Sequence, residues 1–389
     1  MSPGRRTYLD YNATAPMRPQ VRDALAHAGA FGNPSSVHAE GRAARAEIEA
    51  ARDKVARLVG ALAKNVIFTS GGTEANNTVL APALRRAGGA EMSRLLAGAT
   101  EHVSVLEGHC FAPDAVERMP VDRNGSVDLK WLAARLANGA GEPALVSLQV
   151  ANNETGVIQP VARAAELVHE HGGLIHCDAV QAAGKVPLDI AELGVDVLTL
   201  SSHKLGGPKG VGAIVLASDR VEVGTRLIRG GGQERGRRAG TENVAGIVAF
   251  GVAAEIAGRE LVDENGRMRN LRDACEAELR RIVADAVVFG DSVERLPNTL
   301  SFAVPGMRAE TALIAFDLEG VAVSSGSACS SGKVRRSHVL EAMRIEARLA
   351  EGAIRVSLGW NSTEEDVKAF AAACEKHVAT LYKQRATAA

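Results

Sequence analysis

Cys329 lies in the run Ser324-Ser325-Gly326-Ser327-Ala328-Cys329-Ser330-Ser331-Gly332, where seven of nine residues are Ser or Gly. Such a run favours neither a stable helix nor a packed strand, so it predicts a mobile, solvated loop. Free cysteines are ordinarily buried as small apolar residues, because an exposed thiol is open to oxidation. A thiol set in this run points to sulfur chemistry, in which the thiolate is the reacting species.

Four other places carry chemistry-bearing side chains. Ser70-Gly71-Gly72-Thr73-Glu74 passes from an apolar run into a helical pattern, and a helix start offers free N–H groups to an anion such as phosphate. It is neither a Walker loop nor a G-x-G-x-x-G fingerprint, which lowers the weight of nucleotide readings. Asp178 ends an apolar run, where a carboxylate is costly unless it meets a charge or good donors. Lys204 stands between Ser201-Ser202-His203 and Leu205-Gly206-Gly207, where desolvation can turn an ammonium into a Schiff-base nucleophile. Lys209 fits a solvated loop better. His102 follows another apolar run and is a candidate stacking residue.

These residues need a scaffold, and the apolar runs supply one. Val66–Thr69, Leu95–Ala97, Ala144–Val150, Leu174–Cys177, Val195–Leu200 and Gly212–Leu216 alternate with longer amphipathic stretches. This alternation predicts an α/β fold, a mostly parallel sheet with helices on both faces. His38 to Gly60 reads as a helix, with Ala44, Ile48, Ala51, Val55 and Leu58 at helical spacing. From about residue 260 a long charged helix is expected, followed by Val287–Gly290, Asn298–Val304, a strand at Ile354–Leu358 and a last helix from Ser362. The chain thus divides into a large domain, 17–260, and a smaller α+β domain from 1–16 and 261–389, with the cysteine loop at about 322–336.

In open α/β sheets, ligands bind beyond the carboxyl ends of the strands. Gly71 to Glu74, Glu101-His102, Asn152-Asn153-Glu154, Asp178 to Gln181 and Ser201 to Lys204 each follow one strand, so five strands deliver polar groups to one edge. A phosphate cradle, a buried acid, a strand-end lysine and a stacking histidine are the parts of a pyridoxal 5′-phosphate site. The lysine would hold the aldehyde, and the acid would keep the pyridine nitrogen protonated.

Composition limits the alternatives. With 45 basic and 46 acidic residues the net charge is −1, so neither a nucleic-acid nor a membrane-surface partner is expected. The N-terminus lacks an apolar signal segment, and the five cysteines (110, 177, 275, 329, 374) are scattered without C-x-x-C. A cytoplasmic protein with no metal centre is the expectation. Cys110, Cys177, Cys275 and Cys374 read as structural, and His176, on the same strand face as Asp178, as a buried hydrogen-bonded residue.

The chain resembles the cysteine desulfurases of the NifS/IscS kind, fold-type I pyridoxal-phosphate enzymes, essentially from end to end. The resemblance rests on Tyr8-Leu9-Asp10-Tyr11-Asn12-Ala13-Thr14, Gly32-Asn33-Pro34-Ser35-Ser36-Val37-His38 and Ile354-Arg355-Val356-Ser357-Leu358-Gly359. Its most specific pieces are Ser201-x-His203-Lys204 and Ser325-Gly326-Ser327-Ala328-Cys329, the latter similar to the group with a long cysteine loop. The resemblance implies that Lys204 carries the cofactor, that His102 stacks on its ring and assists proton transfer, and that Asp178 pairs with the ring nitrogen. It assigns the ring's phenolic oxygen region to Asn153 and Gln181, and the phosphate to Gly72, Thr73, Ser201 and His203. Thr241 would reach the phosphate of a second subunit, implying a homodimer, and Arg355 would hold the substrate carboxylate. L-cysteine would lose its sulfur to Cys329, leaving L-alanine and a persulfide that passes to an acceptor protein, such as an iron–sulfur scaffold. Gly72 stands where many relatives carry alanine, and Lys333-Val334-Arg335-Arg336 is more basic than the family pattern. The competing expectations are a selenocysteine lyase, an aminotransferase of the same fold, and a non-catalytic sulfur-transfer scaffold.

Overall fold

The computed structural model describes residues 6–139, 141–325 and 336–388, with side chains through 380. Cys329 and the rest of 326–335 therefore lie outside the described residues.

Seven apolar segments form the main sheet: β1 (Val66–Thr69), β2 (Arg94–Gly98), β3 (Val116–Met119), β4 (Ala144–Ser147), β5 (Leu174–Asp178), β6 (Val197–Ser201) and β7 (Gly212–Leu216). Their order across the sheet is β1-β7-β6-β5-β4-β2-β3. β3, β2, β4, β5 and β6 run parallel, while β7 is antiparallel to both β6 and β1. Every strand except β7 thus points its carboxyl end to the same edge, as the alternating pattern predicts. β1, β4, β5, β6 and β7 are buried along their full length, as helices on both faces require.

Helix Ala39–Leu58 packs on this sheet through Ile48, Ala51 and Val55. Against it lies the helix Val244–Ile282, where a Cβ on Gly251 would come within 2.7 Å of the Ala51 backbone. Only a residue without a Cβ permits that approach.

This long helix corrects the expectation of a start near 260: it begins at Val244. Ile247, Phe250, Ala253 and Ile256 lie in the core of the main sheet, and Leu271, Cys275 and Leu279 in a second core. The change in composition near 260 marks the passage of one helix between two cores, so it does not mark a helix end.

The second core lies around the sheet of β8 (Val287–Val288), β9 (Thr299–Ala303) and β10 (Ile354–Ser357), all antiparallel. Phe302, Phe316 and Phe370 fill it, and Leu9 of the N-terminal segment joins it. The backbone of Ser324 exchanges hydrogen bonds with that of Arg355 on β10. No described helix is long and apolar enough to cross a membrane.

Candidate active site

At the carboxyl edge of the main sheet is a cavity of about 580 Å³, within the usual range of small-molecule sites. Its floor begins with the helix Gly72–Val79, which starts directly after β1. A Cβ on Gly212 would lie 2.6 Å from the Gly71 carbonyl carbon, so glycine at the head of β7 lets the turn settle against the sheet. Glu74 Oε2 accepts from the Ser70 N–H at 2.8 Å, and Glu74 Oε1 meets Arg238 Nε at 3.1 Å. Burial opposes that carboxylate, but Arg238 and Ser70 outweigh it and hold Glu74 below the ordinary range. The helix thus starts at the cavity on an anchored turn, with Gly72, Thr73, Ser201 and His203 in the cavity wall. Such a turn suits a phosphate. Burial, and then Lys204, pushes the His203 imidazole down to about 4, so the ring is neutral.

Asp178 ends β5 and is 7 % exposed. Asn76 Nδ2 donates to its Oδ2 at 2.8 Å, and the Val180 N–H donates to its Oδ1 at 2.9 Å. Beneath it, His176 bonds Ser147 Oγ at 2.9 Å and Thr199 Oγ1 at 3.1 Å, while Thr199 donates to Asn76 Oδ1. The expected buried, hydrogen-bonded His176 is part of this support. Burial pushes its pKa down to about 4, so the carboxylate rests on a neutral polar network.

His102 caps a short turn: its Nδ1 accepts from the Ser104 N–H at 3.1 Å, which leaves the proton of the neutral ring on Nε2. Burial in the cavity wall pushes His102 below the ordinary imidazole range. Behind it, burial and Asp178 drive the Glu101 carboxyl well above its usual range. The Glu101 carbonyl accepts from His338 Nε2 at 2.9 Å. Ser337 donates to the buried Glu154 carboxyl, so residues 337 and 338 are fastened beside the site.

Lys204 follows β6, and its Nζ donates to the carbonyls of Asn12 and Ala13, the latter at 2.8 Å. Burial, and then Arg355, lowers its pKa to about 8. Arg355 is 3 % exposed; Nη2 pairs with Asp10 Oδ1 at 2.6 Å and Nη1 donates to the Asn153 carbonyl at 2.9 Å. Among the described residues its Nε is buried without a partner. A buried guanidinium with a donor to spare suits an anionic group such as a carboxylate.

Gly72, Thr73, His102, Asn153, Asp178, Gln181, Ser201, His203, Lys204 and Arg355 all line the one cavity. Thr241 does not: it is exposed, close in sequence to the Arg238 that holds Glu74. Cys329 lies outside the described residues, although Ser324 and Ser325, before it, line the cavity. Gly72 has a packing reason of its own, since a Cβ there would meet Val180 Cγ2 at 2.9 Å. Sequence reasoning missed Asn76, Ser104, Asp10, Asn12 and Lys185. Asn76 carried a signal, four residues after Gly72 and hence one turn along the same helix face.

An aldehyde-capturing amine, an acid on a neutral network, an anion-binding turn and a flanking imidazole together fit pyridoxal 5′-phosphate. The comparisons agree. The family model for aminotransferase class-V matches residues 7–370. The chain is 42 % identical over 374 residues to the cysteine desulfurase IscS of Dictyoglomus turgidum, covering 93 % of this chain and 92 % of the relative. It is 40 % identical to the cysteine desulfurase NifS of Azotobacter vinelandii, covering 92 % of this chain and 89 % of the relative. The solved NifS-like protein of Rickettsia africae superposes with a TM-score of 0.87 at 33 % identity, over 97 % of this chain and 100 % of its own. Fold, site and sequence thus place the chain in the aminotransferase class-V family, among the cysteine desulfurases of the IscS and NifS kind.

Proposed function

We propose that this chain is a cysteine desulfurase that binds pyridoxal 5′-phosphate in the cavity, takes sulfur from L-cysteine, and releases L-alanine with a persulfide left on Cys329. The observation that carries the reading is the convergence of Lys204, Asp178, His102 and Arg355 on one cavity. Pyridoxal phosphate, when bound, supplies an electron sink for charge developing at the substrate's Cα.

The residues divide the remaining work. Lys204, its pKa lowered to about 8, would hold the cofactor's aldehyde and would be the base nearest the substrate's Cα proton. Asp178 would meet the ring nitrogen, and Asn153 and Gln181 the phenolic oxygen. Gly72, Thr73, Ser201 and His203 would hold the phosphate, and Thr241 would complete the site of a second subunit in a homodimer. Arg355 binds the substrate carboxylate. His102 would stack on the ring and would accept the proton that makes Cys329 a thiolate. That thiolate attacks the substrate's sulfur: a new S–S bond forms, the Cβ–S bond breaks, and the carbon skeleton takes up protons to leave as alanine.

The two cores support a division into a large cofactor-binding domain, 17–260, and a small domain from 1–16 and 261–389. The persulfide passes to an acceptor protein in the cytoplasm, for which an iron–sulfur scaffold is the first choice and a tRNA-thiolation or nitrogenase-dedicated acceptor the alternative. The purified chain with L-cysteine and a thiol reductant tests the reading. Alanine and sulfide are expected in equal amounts, both abolished by Lys204→Ala; no alanine from the wild type refutes it.

A further inference from the structure

A second buried lysine supports the cavity wall. Lys185 lies four residues after Gln181, is 6 % exposed, and has no salt-bridge partner among the described residues. Burial, and then Lys204 and Arg355, drives its pKa well below the ordinary lysine range. An amine in such a place is costly unless hydrogen-bonded. Lys185 Nζ donates to Gln181 Oε1 at 2.8 Å and to Asn12 Oδ1 at 3.2 Å.

The first of these bonds decides which way the Gln181 amide faces. With Oε1 on Lys185, Gln181 Nε2 donates to the Asn12 carbonyl at 2.9 Å. One amide hydrogen is then used, and the second remains for an acceptor in the cavity that Gln181 lines. The flipped amide would deprive the Lys185 N–H of its Gln181 acceptor and set Oε1 against the Asn12 carbonyl, a repulsive contact in a buried place.

We propose that Lys185 is a positioning residue for cofactor recognition: through Gln181 Oε1 it locks the amide so that an Nε2 hydrogen is presented to an oxygen on the bound ring. This rests on the reading that the cavity takes pyridoxal phosphate. Lys185 itself does not line the cavity. Its carbonyl accepts from Asn265 Nδ2 at 2.8 Å, an anchor that a side-chain substitution leaves in place.

The test is equilibrium binding of pyridoxal 5′-phosphate, and of its 3-deoxy analogue lacking the phenolic oxygen, to apoprotein. Wild type, Lys185→Met, Gln181→Met and the double variant are compared, with melting of each apoprotein as a control. The analogue's intrinsic reactivity cancels between variants. Lys185→Met is expected to reduce the preference for the natural cofactor about tenfold, the size of one hydrogen bond to a charged group. Gln181→Met should lose a similar factor, and the double variant no more than either. An unchanged preference in Lys185→Met, or losses that multiply in the double variant, overturns the proposal. Should Lys185→Met fail to fold, an unchanged preference in Gln181→Met overturns it equally. A wild-type chain that binds no pyridoxal phosphate overturns the proposed function instead.

Discussion

Asn76 and Asp178, 102 residues apart in sequence, are joined by a 2.8 Å hydrogen bond beneath the active-site cavity. The other hydrogen of the same amide goes to Ser104 Oγ at 2.9 Å, and Ser104 fixes His102. One side chain on the helix after β1 thus orients both the acid and the imidazole of the site.

Removing charge at Asp178 and removing its support should therefore differ in size. Asp178→Asn keeps the shape and loses the anion; turnover is expected to fall about 100-fold or more, the scale of a lost electrostatic contact to a reacting group. Asn76→Ala leaves the anion with one donor fewer and should cost about tenfold. Steady-state alanine production checks both, and equal losses would contradict the separation of roles.

Lys204 should titrate far from an ordinary lysine. Its shift is downward, so the free amine predominates once the pH exceeds about 8. The rate at which apoprotein captures pyridoxal phosphate, followed by visible absorbance, is expected to rise with pH to a midpoint near 8. The same rise in Arg355→Met should have a lower limb shifted toward higher pH, because that cation's repulsion of the ammonium is gone. A midpoint at the ordinary lysine value of 10.5 would contradict burial as the cause.

Arg355 offers geometry as well as charge, with a buried Nε that has no partner among the described residues. Arg355→Lys keeps the charge and loses the planar fork. Its kcat/KM for cysteine is expected to drop about 30-fold or more, from ~2 kcal/mol of lost pairing, with cofactor affinity unchanged. A parallel loss of cofactor affinity would place Arg355 at the cofactor.

Arg52 and Glu234 form a buried ion pair at 2.7 Å, and Glu234 also accepts from the Phe68 N–H of β1 at 3.0 Å. This fastens the segment leading to Arg238 and Thr241 onto the sheet. Arg52→Ala strands a buried carboxylate and is expected to lower apoprotein stability by about 3–5 kcal/mol, read from denaturant unfolding. A loss below about 1 kcal/mol would show that the segment is held elsewhere.

The site was legible in the sequence where chemistry falls at strand ends. Five polar turns after five apolar runs predicted one edge, and ten of the anticipated residues line the cavity. What remained hidden depends on contacts between distant segments. Asp10 meets Arg355 across 345 residues, and Lys185 gains its partner Asn12 only when the N-terminal segment folds against it. The long helix was misread from 260 because its first three turns, Val244–Ala254, hold no charged residue and pack largely on the main sheet. Antiparallel β7 was also hidden, since a buried strand looks the same in either direction.

Cys329 is the proposed acceptor of the sulfur, and peptide mass spectrometry of cofactor-loaded protein given one equivalent of L-cysteine, without reductant, can locate it. One added sulfur atom is expected on the Cys329 peptide, matched by one alanine, with neither product in Cys329→Ala, whose cofactor absorbance is retained. Alanine formed by Cys329→Ala at the wild-type rate, or the added sulfur found on Cys110 instead, would contradict it.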